Sequence, residues 1–84
     1  MTEQNGHEGY GETLISILEE AIKSEIESEM KYLHTADLAC DTCVRDFLRS
    51  LAKMEHEHAD LLARELDELR GKMKVVDEMN QMFE

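Results

Sequence analysis

The fold is decided by residues 47–69, which read FLRSLAKMEHEHADLLARELDEL. Apolar residues recur in this stretch every three or four positions, which is the period of an amphipathic helix. It contains no proline, so nothing interrupts the backbone hydrogen bonds of a long helix. The stretch therefore predicts one long helix, and one face of it is formed by Phe47, Leu48, Leu51, Met54, His58, Leu61, Leu62, Leu66 and Leu69.

A second helical pattern precedes this stretch. It begins near Glu12 or Thr13, with Thr13 as the expected N-cap residue, and continues to Ala39. The segment 39–43, ACDTC, breaks the periodicity and carries the turn-forming residues Asp41 and Thr42. The two patterns together predict an all-α fold, an antiparallel hairpin of two helices joined by a short turn.

The two ends of the chain are predicted to differ from the hairpin. Residues 1–11 carry three glycines among polar residues and are expected to form a flexible leader, which leaves 12–84 as the single domain. Gly71, with lysine and arginine around it, is expected to end the second helix. A short C-terminal helix is then expected from Met73 to about Phe83.

Composition excludes several classes of protein. The chain has 84 residues, 20 of them acidic and 9 basic, for a formal net charge of −11. A nucleic-acid binder is expected to carry a basic face instead. No apolar run approaches the roughly 20 residues of a membrane-spanning helix. The two cysteines are too few for a disulfide scaffold. We expect a cytoplasmic protein whose partners are cations or copies of itself, not nucleic acid or a membrane.

A hairpin of this size cannot bury both of its apolar stripes. Small chains bury a smaller fraction of their surface than large ones. Two hairpins that pack together form a four-helix bundle and solve this problem. The sequence therefore predicts a homo-oligomer that is built from dimers.

Ionisable residues interrupt the predicted core on both helices. Glu25 and Glu29 lie in the inward series of the first helix, which runs Leu18, Ile22, Glu25, Glu29, Tyr32 and Ala36. Glu55 and His58 lie in that of the second, between Leu51 and Leu62. In an antiparallel hairpin Glu25 and the pair Glu55 and His58 fall roughly 22–27 Å from the turn, at 1.5 Å per residue. Glu25 is therefore expected to face Glu55 and His58.

A Glu-x-x-His pair is half of the ligand set of a carboxylate-bridged di-metal bundle. The full site takes one Glu from each of two helices and a Glu-x-x-His from each of the other two. One hairpin supplies Glu25 and the pair Glu55 and His58, so two hairpins supply the whole set. Iron, manganese and zinc suit such donors. The alternative is that these groups snorkel to water or pair with Lys31, Lys53 or Arg64.

Cys40 and Cys43 form a C-x-x-C motif. This spacing occurs in redox pairs and in half of a zinc site. The sequence contains no second cysteine pair, and no strand pattern supports a thioredoxin-like role. We favour reduced thiols at a helical turn.

Two segments resemble the ferritin-like superfamily. Residues 21–32, AIKSEIESEMKY, resemble the first ligand helix of rubrerythrin-type domains, with a Tyr seven residues after the ligand Glu. Residues 54–62, MEHEHADLL, resemble their second ligand helix. The hairpin occurs once in this chain and not twice, which is most similar to the encapsulated ferritins.

The resemblance implies a ferroxidase that oxidises Fe(II) with dioxygen at a di-iron site shared by two subunits. It implies two irons per subunit pair, with manganese, zinc or calcium as substitutes. Glu25, Glu55 and His58 would be the ligands, Tyr32 a residue near the site, and Glu27 part of a metal entry path. Glu29 is an additional inward carboxylate and is expected to be solvated or to contact the ligands without binding the metal, and Glu29 and Glu27 are the less favoured metal ligands.

Encapsulated ferritins assemble into rings, usually decamers, and store Fe(III) inside an encapsulin shell. The segment 79–84, MNQMFE, shows no recognisable encapsulin-targeting motif, which is a departure from that pattern. Two other functions remain open. One is a rubrerythrin-like peroxide reductase, and the other is a non-enzymatic helical oligomerisation module.

Overall fold

The computed structural model describes the backbone of residues 6–82 and the side chains of residues 13–81. It contains two helices, α1 (Gly6–Leu38) and α2 (Thr42–Met82), and no strand within the described residues. Residues 39–41 connect the helices, and the prediction of an all-helical hairpin is confirmed.

The turn is fixed by hydrogen bonds from both of its ends. Asp41 is the N-cap of α2, because its Oδ1 accepts the Val44 backbone N–H at 3.0 Å. The Arg45 guanidinium donates from Nη2 to the Ala39 carbonyl at 2.8 Å. These bonds satisfy backbone groups that have no partner within a helix, and they set the antiparallel direction of α2.

The two helices pack along a stripe that we call the seam. Its residues alternate in steps of three and four, which is the spacing of a coiled-coil interface. The buried hydrophobic residues among the described side chains are Ala36, Ala52, Ala59 and Leu66, and the three alanines let the two backbones approach closely. The seam consists of Ile15, Leu18, Ile22, Glu25, Glu29, Tyr32 and Ala36 of α1, Ala39 of the connection, and Arg45, Leu48, Ala52, Glu55, Ala59, Leu62, Leu66, Leu69 and Met73 of α2.

The inward face of α2 differs from the expected one. Ala52 and Ala59 take the positions in the seam that had been assigned to Leu51 and His58. Leu51 is half-buried and His58 is exposed, so both lie at the edge of the seam. The physical reason is that the apolar residues of α2 span a wider arc of its surface than α1 can cover. α1 therefore packs on the alanines and leaves Leu51 and His58 at the edge.

Both helices are longer than predicted. α1 already begins at Gly6, so Thr13 lies inside the helix and is not its N-cap. Residues 1–5 lie outside the described residues, so a flexible leader there stays a prediction. Residues 6–11 belong to α1, so the prediction of a flexible leader is wrong for them.

The expected separate C-terminal helix is wrong, because residues 73–82 are the last turns of α2. Gly71 has no positive φ, and a Cβ added there would meet no atom within 4 Å. A glycine inside a helix costs only about 1 kcal/mol relative to alanine, which a regular helix on both sides tolerates. Phe83 lies outside the described residues.

The hairpin is a single layer of two helices. Its dimensions are 65 × 28 × 12 Å and its radius of gyration is 18.9 Å, whereas a compact domain of this length would have about 12 Å. No large side chain among residues 13–81 is fully buried. This shape leaves a broad surface for a second copy, and the four-helix bundle stays a prediction.

Candidate metal centre

Glu25, Glu55 and His58 come together at mid-height of the hairpin. One ligand atom from each lies within 4.8 Å of the others. His58 Nδ1 is 3.7 Å from Glu25 Oε2 and 3.4 Å from Glu55 Oε1. Within residues 13–81 this is the single group of three or more His, Cys, Asp or Glu residues with metal-ligand spacing.

The local structure explains this geometry. Glu25 and Glu55 occupy facing positions of the seam, and their side chains keep 25% and 22% of their exposure. His58 lies three residues after Glu55 and therefore on the adjoining face of the same helix. Two carboxylates in a partly buried seam repel each other, so the site favours a bound cation.

The donor set fits a first-row divalent metal. Two carboxylates and an imidazole suit iron, manganese and zinc. Ligand atoms bound to one ion at about 2.1 Å lie roughly 3.0–4.2 Å apart, and both measured nitrogen–oxygen distances fall in this range. These residues could therefore hold an ion with small side-chain movements.

Two other predicted site residues do not join this group within one hairpin. Tyr32 is half-buried in the seam, but it lies about 10 Å along the helix axis from Glu25. Glu27 is exposed and lies on the outward side of α1. Their roles near the site and on an entry path stay predictions.

A second cluster was not predicted from the sequence. Glu29 Oε1 lies 3.2 Å from His56 Nδ1, and Asp60 Oδ2 lies 3.6 Å from His56 Nε2. The hydrogen bond to Glu29 raises the pKa of His56, and the charges of Glu29 and Asp60 raise it further. The signal that could have revealed this cluster is Glu29 itself, a carboxylate in the seam about one helical turn closer to the connection than His56.

The two histidines lie on opposite faces of the hairpin, because residues two apart on a helix point roughly 200° apart. We call these the His58 face and the His56 face. On the His58 face, α2 presents apolar side chains, of which Phe47 is 63% and Leu61 56% exposed. On the His56 face, α2 presents charges, and Arg70 pairs with Glu19 and Arg49 with Asp37.

Cys40 and Cys43 are free, exposed thiols at the turn. They lie about 15 residues along the helices from Glu25 and Glu55, at the tip of the hairpin. They therefore do not contribute to the candidate centre of this chain.

Comparison with known proteins places the chain in a family. No helix in the described part of the chain is long and apolar enough to span a membrane. No curated protein and no solved structure gives a significant match. A family model described as Rubrerythrin matches residues 16–84, which is most of the chain and includes all three residues of the candidate centre. The chain therefore belongs to the rubrerythrin family, within the ferritin-like superfamily.

Proposed function

We propose that the protein is a ferroxidase that oxidises Fe(II) to Fe(III) with dioxygen at a di-iron centre shared by two copies of the chain. The observation that carries this proposal is the group of Glu25, Glu55 and His58, which is half of a di-metal ligand set. The membership of the rubrerythrin family supports a di-iron oxidoreductase in general.

Glu25, Glu55 and His58 would hold the metal, and bound iron would supply the one-electron redox chemistry. The contribution of the chain is to fix these donors. Ile22 and Leu62 are half-buried in the seam on the side of the carboxylates that faces away from the connection. Manganese, zinc or calcium could occupy the same donors in place of iron.

The His58 face is the surface on which a second copy would pack. Its exposed apolar side chains include Phe47, Met54 and Leu61, which lie on the same side of α2 as His58. Covering them would remove apolar surface from water and would bring the two half-sites together. The oligomer needed to form a core is thus also the one needed to complete the ligand set.

Assembly beyond the dimer is part of the same proposal. Ile26, Met30 and Leu33 stay exposed on α1 when the His58 face is covered, and they offer a further contact for a ring such as a decamer. The resemblance to encapsulated ferritins suggests a cytoplasmic protein that delivers Fe(III) into an encapsulin shell.

The direct test is to replace the ligands one at a time. Glu55→Ala and His58→Ala should each lower the iron occupancy and the initial rate of Fe(II) oxidation at least tenfold, with helix content unchanged by circular dichroism. His34→Ala is the matched control, because His34 is an exposed histidine on α1 outside both clusters. Wild-type rates in both ligand variants would contradict the proposal.

The family match also favours a second candidate, a rubrerythrin-like peroxide reductase. Such an enzyme needs an electron donor. Stopped-flow oxidation of the reduced, iron-loaded protein discriminates between the two. Faster oxidation by peroxide than by dioxygen, with many turnovers when a reductant is supplied, would favour the reductase.

A non-enzymatic oligomerisation module is the remaining alternative. It predicts no stoichiometric metal and an oligomer that is unaffected by chelators. Both observations together would exclude the two enzymatic functions.

A further inference from the structure

An apolar groove lies on the His58 face toward the open end of the hairpin, which is the end opposite the connection. It encloses about 260 Å³ between α1 and α2. Its α2 side lies on the His58 face because Glu65 and Lys72 follow His58 by seven and fourteen residues, close to two and four helical turns. The lining consists of Leu14, Ile17, Leu18, Glu65, Leu69 and Lys72. At this end, the surface offered to a second copy is therefore concave.

The other end of the same face is convex. Phe47 precedes His58 by three helical turns, projects on the same side of α2 and is 63% exposed. Leu38 and Val44, which flank the connection, are exposed as well. A large aromatic side chain gains most when a pocket of a partner encloses it, as at the centres of protein interfaces. Phe47 thus has the character of an anchor that the concave end of a second copy would receive.

The groove and Phe47 lie at equal distances from the candidate metal centre. Phe47 lies eleven residues before His58 and Leu69 lies eleven residues after it, so each is about 16 Å from the centre along the helix axis. Two copies that share the centre are therefore in register in either of two arrangements. In the antiparallel one, Phe47 of each copy reaches the groove of the other. In the parallel one, groove faces groove and the two connections lie together.

Shape favours the antiparallel arrangement. Parallel copies would set two concave surfaces against each other, and the apolar side chains that line them would lose packing contacts across the space. Antiparallel copies fill each groove with an aromatic ring. They thus remove Phe47 and the exposed Ile17 from water in the same contact.

Charge favours the same arrangement. Lys31 follows Ile17 by fourteen residues, so it lies on the side of α1 that lines the groove, about 9 Å from Glu25 toward the connection. Glu65 lies about 10 Å from His58 toward the open end. Neither has an ion-pair partner within residues 13–81. Antiparallel copies bring these opposite charges to the same height, whereas parallel copies keep them roughly 20 Å apart.

We propose that two copies dock antiparallel, with Phe47 of each copy seated in the apolar groove of the other. This inference rests on the pairing of two copies in the proposed function, and it adds their orientation and the residue that anchors them. The two anchors act at once, one on each side of the shared centre. They hold the two half-sites at the same height.

Cross-linking of introduced thiols tests the orientation. In a background of Cys40→Ser and Cys43→Ser, the substitutions Val44→Cys and Lys72→Cys place one thiol fourteen residues before His58 and one fourteen residues after it. The two positions lie about 42 Å apart within one chain, so a short bis-maleimide that links them joins two chains. The doubly substituted protein should give this link in peptide mapping, and Val44→Cys alone should give almost no cross-linked dimer. Efficient linking of Val44→Cys to itself, or no link between positions 44 and 72, would overturn the antiparallel docking.

Truncation of the anchor tests the groove. Phe47→Ala should raise the dissociation constant of the dimer about tenfold or more, as loss of an anchoring aromatic residue does at other interfaces. Leu33→Ala is the matched control, because Leu33 is an exposed apolar residue on the side of α1 away from the groove. Sedimentation at concentrations where monomer and dimer coexist measures both. An unchanged dissociation constant in Phe47→Ala, or an equal rise in the control, would contradict the role of Phe47.

These tests need neither iron nor oxidation, so they separate the docking from the proposed function. Antiparallel links in a protein that does not oxidise Fe(II) would refute the ferroxidase and leave the docking intact. Fe(II) oxidation together with links between like positions would refute the docking and leave the ferroxidase intact.

Discussion

The two faces of the hairpin differ in whether the side chains of α2 find partners within one chain. On the His56 face, α2 carries charges that already have partners within the chain, as in the pairs of Arg70 with Glu19 and of His56 with Glu29. On the His58 face, the same helix exposes the apolar side chains of Phe47, Met54 and Leu61. The difference teaches that α2 leaves its apolar side chains uncovered on the His58 face of one chain, while its charges on the His56 face already have partners.

The largest expected effect comes from placing a charge on the His58 face. Leu61→Asp should prevent pairing of the chains and abolish iron binding at the shared centre, because a buried unpaired carboxylate would oppose the contact. Analytical ultracentrifugation and iron titration measure the two losses. Ala63→Asp is the matched control, since Ala63 is exposed on the same helix but lies beside Asp60 and Asp67 away from that face. Equal effects of the two substitutions would remove the distinction between the faces.

Truncation in the seam should be the next largest effect. Leu66 is 7% exposed, so Leu66→Ala should lower the free energy of unfolding by about 2–4 kcal/mol through lost burial and a cavity. Chemical denaturation measures this change. Leu61→Ala is the control at an exposed position, and in the dissociated chain it should cost less than about 0.5 kcal/mol. A comparable loss at both positions would place Leu61 in the core of one chain.

Gly71→Ala should act in the opposite direction. The added methyl group meets no atom within 4 Å, and the substitution should raise the free energy of unfolding by about 0.5–1 kcal/mol. The midpoint of thermal unfolding reports this gain. Destabilisation by Gly71→Ala would indicate that a helix end, as first expected from the sequence, lies at this residue.

The smallest effect concerns the titration of His56 in metal-free protein. Glu29 raises the pKa of His56, so Glu29→Gln should lower this pKa, as measured by NMR. A raised pKa in the folded state means that protonated His56 stabilises the fold below its ordinary value of about 6.5. That contribution is lost as the pH rises through the folded pKa. An unchanged pKa in Glu29→Gln would show that the hydrogen bond does not persist in solution.

The sequence predicts some parts of this structure well because they depend on local periodicity. The steps of three and four in α1 predicted its seam from Leu18 to Ala36, including Glu25 and Glu29. The turn was predicted from Asp41, which the structure shows to be the N-cap of α2.

Other parts depend on tertiary packing and could not be predicted in this way. The rotation of α2 about its axis decides whether His58 or Ala59 enters the seam, and both choices bury apolar side chains. The pairing of Glu29 with His56 follows from that rotation, so it was missed as well. Gly71 was interpreted as a helix end because glycine destabilises the interior of a helix. No proline and no positive φ, however, end the helix there.

The central claim is that two copies complete one metal centre across the His58 face. Native mass spectrometry during anaerobic Fe(II) addition tests this claim most directly. The account predicts even-numbered oligomers that iron favours, with two irons per two chains that disappear in Glu55→Ala. A monomer that iron leaves unchanged, or iron binding that Glu55→Ala does not reduce, would contradict it.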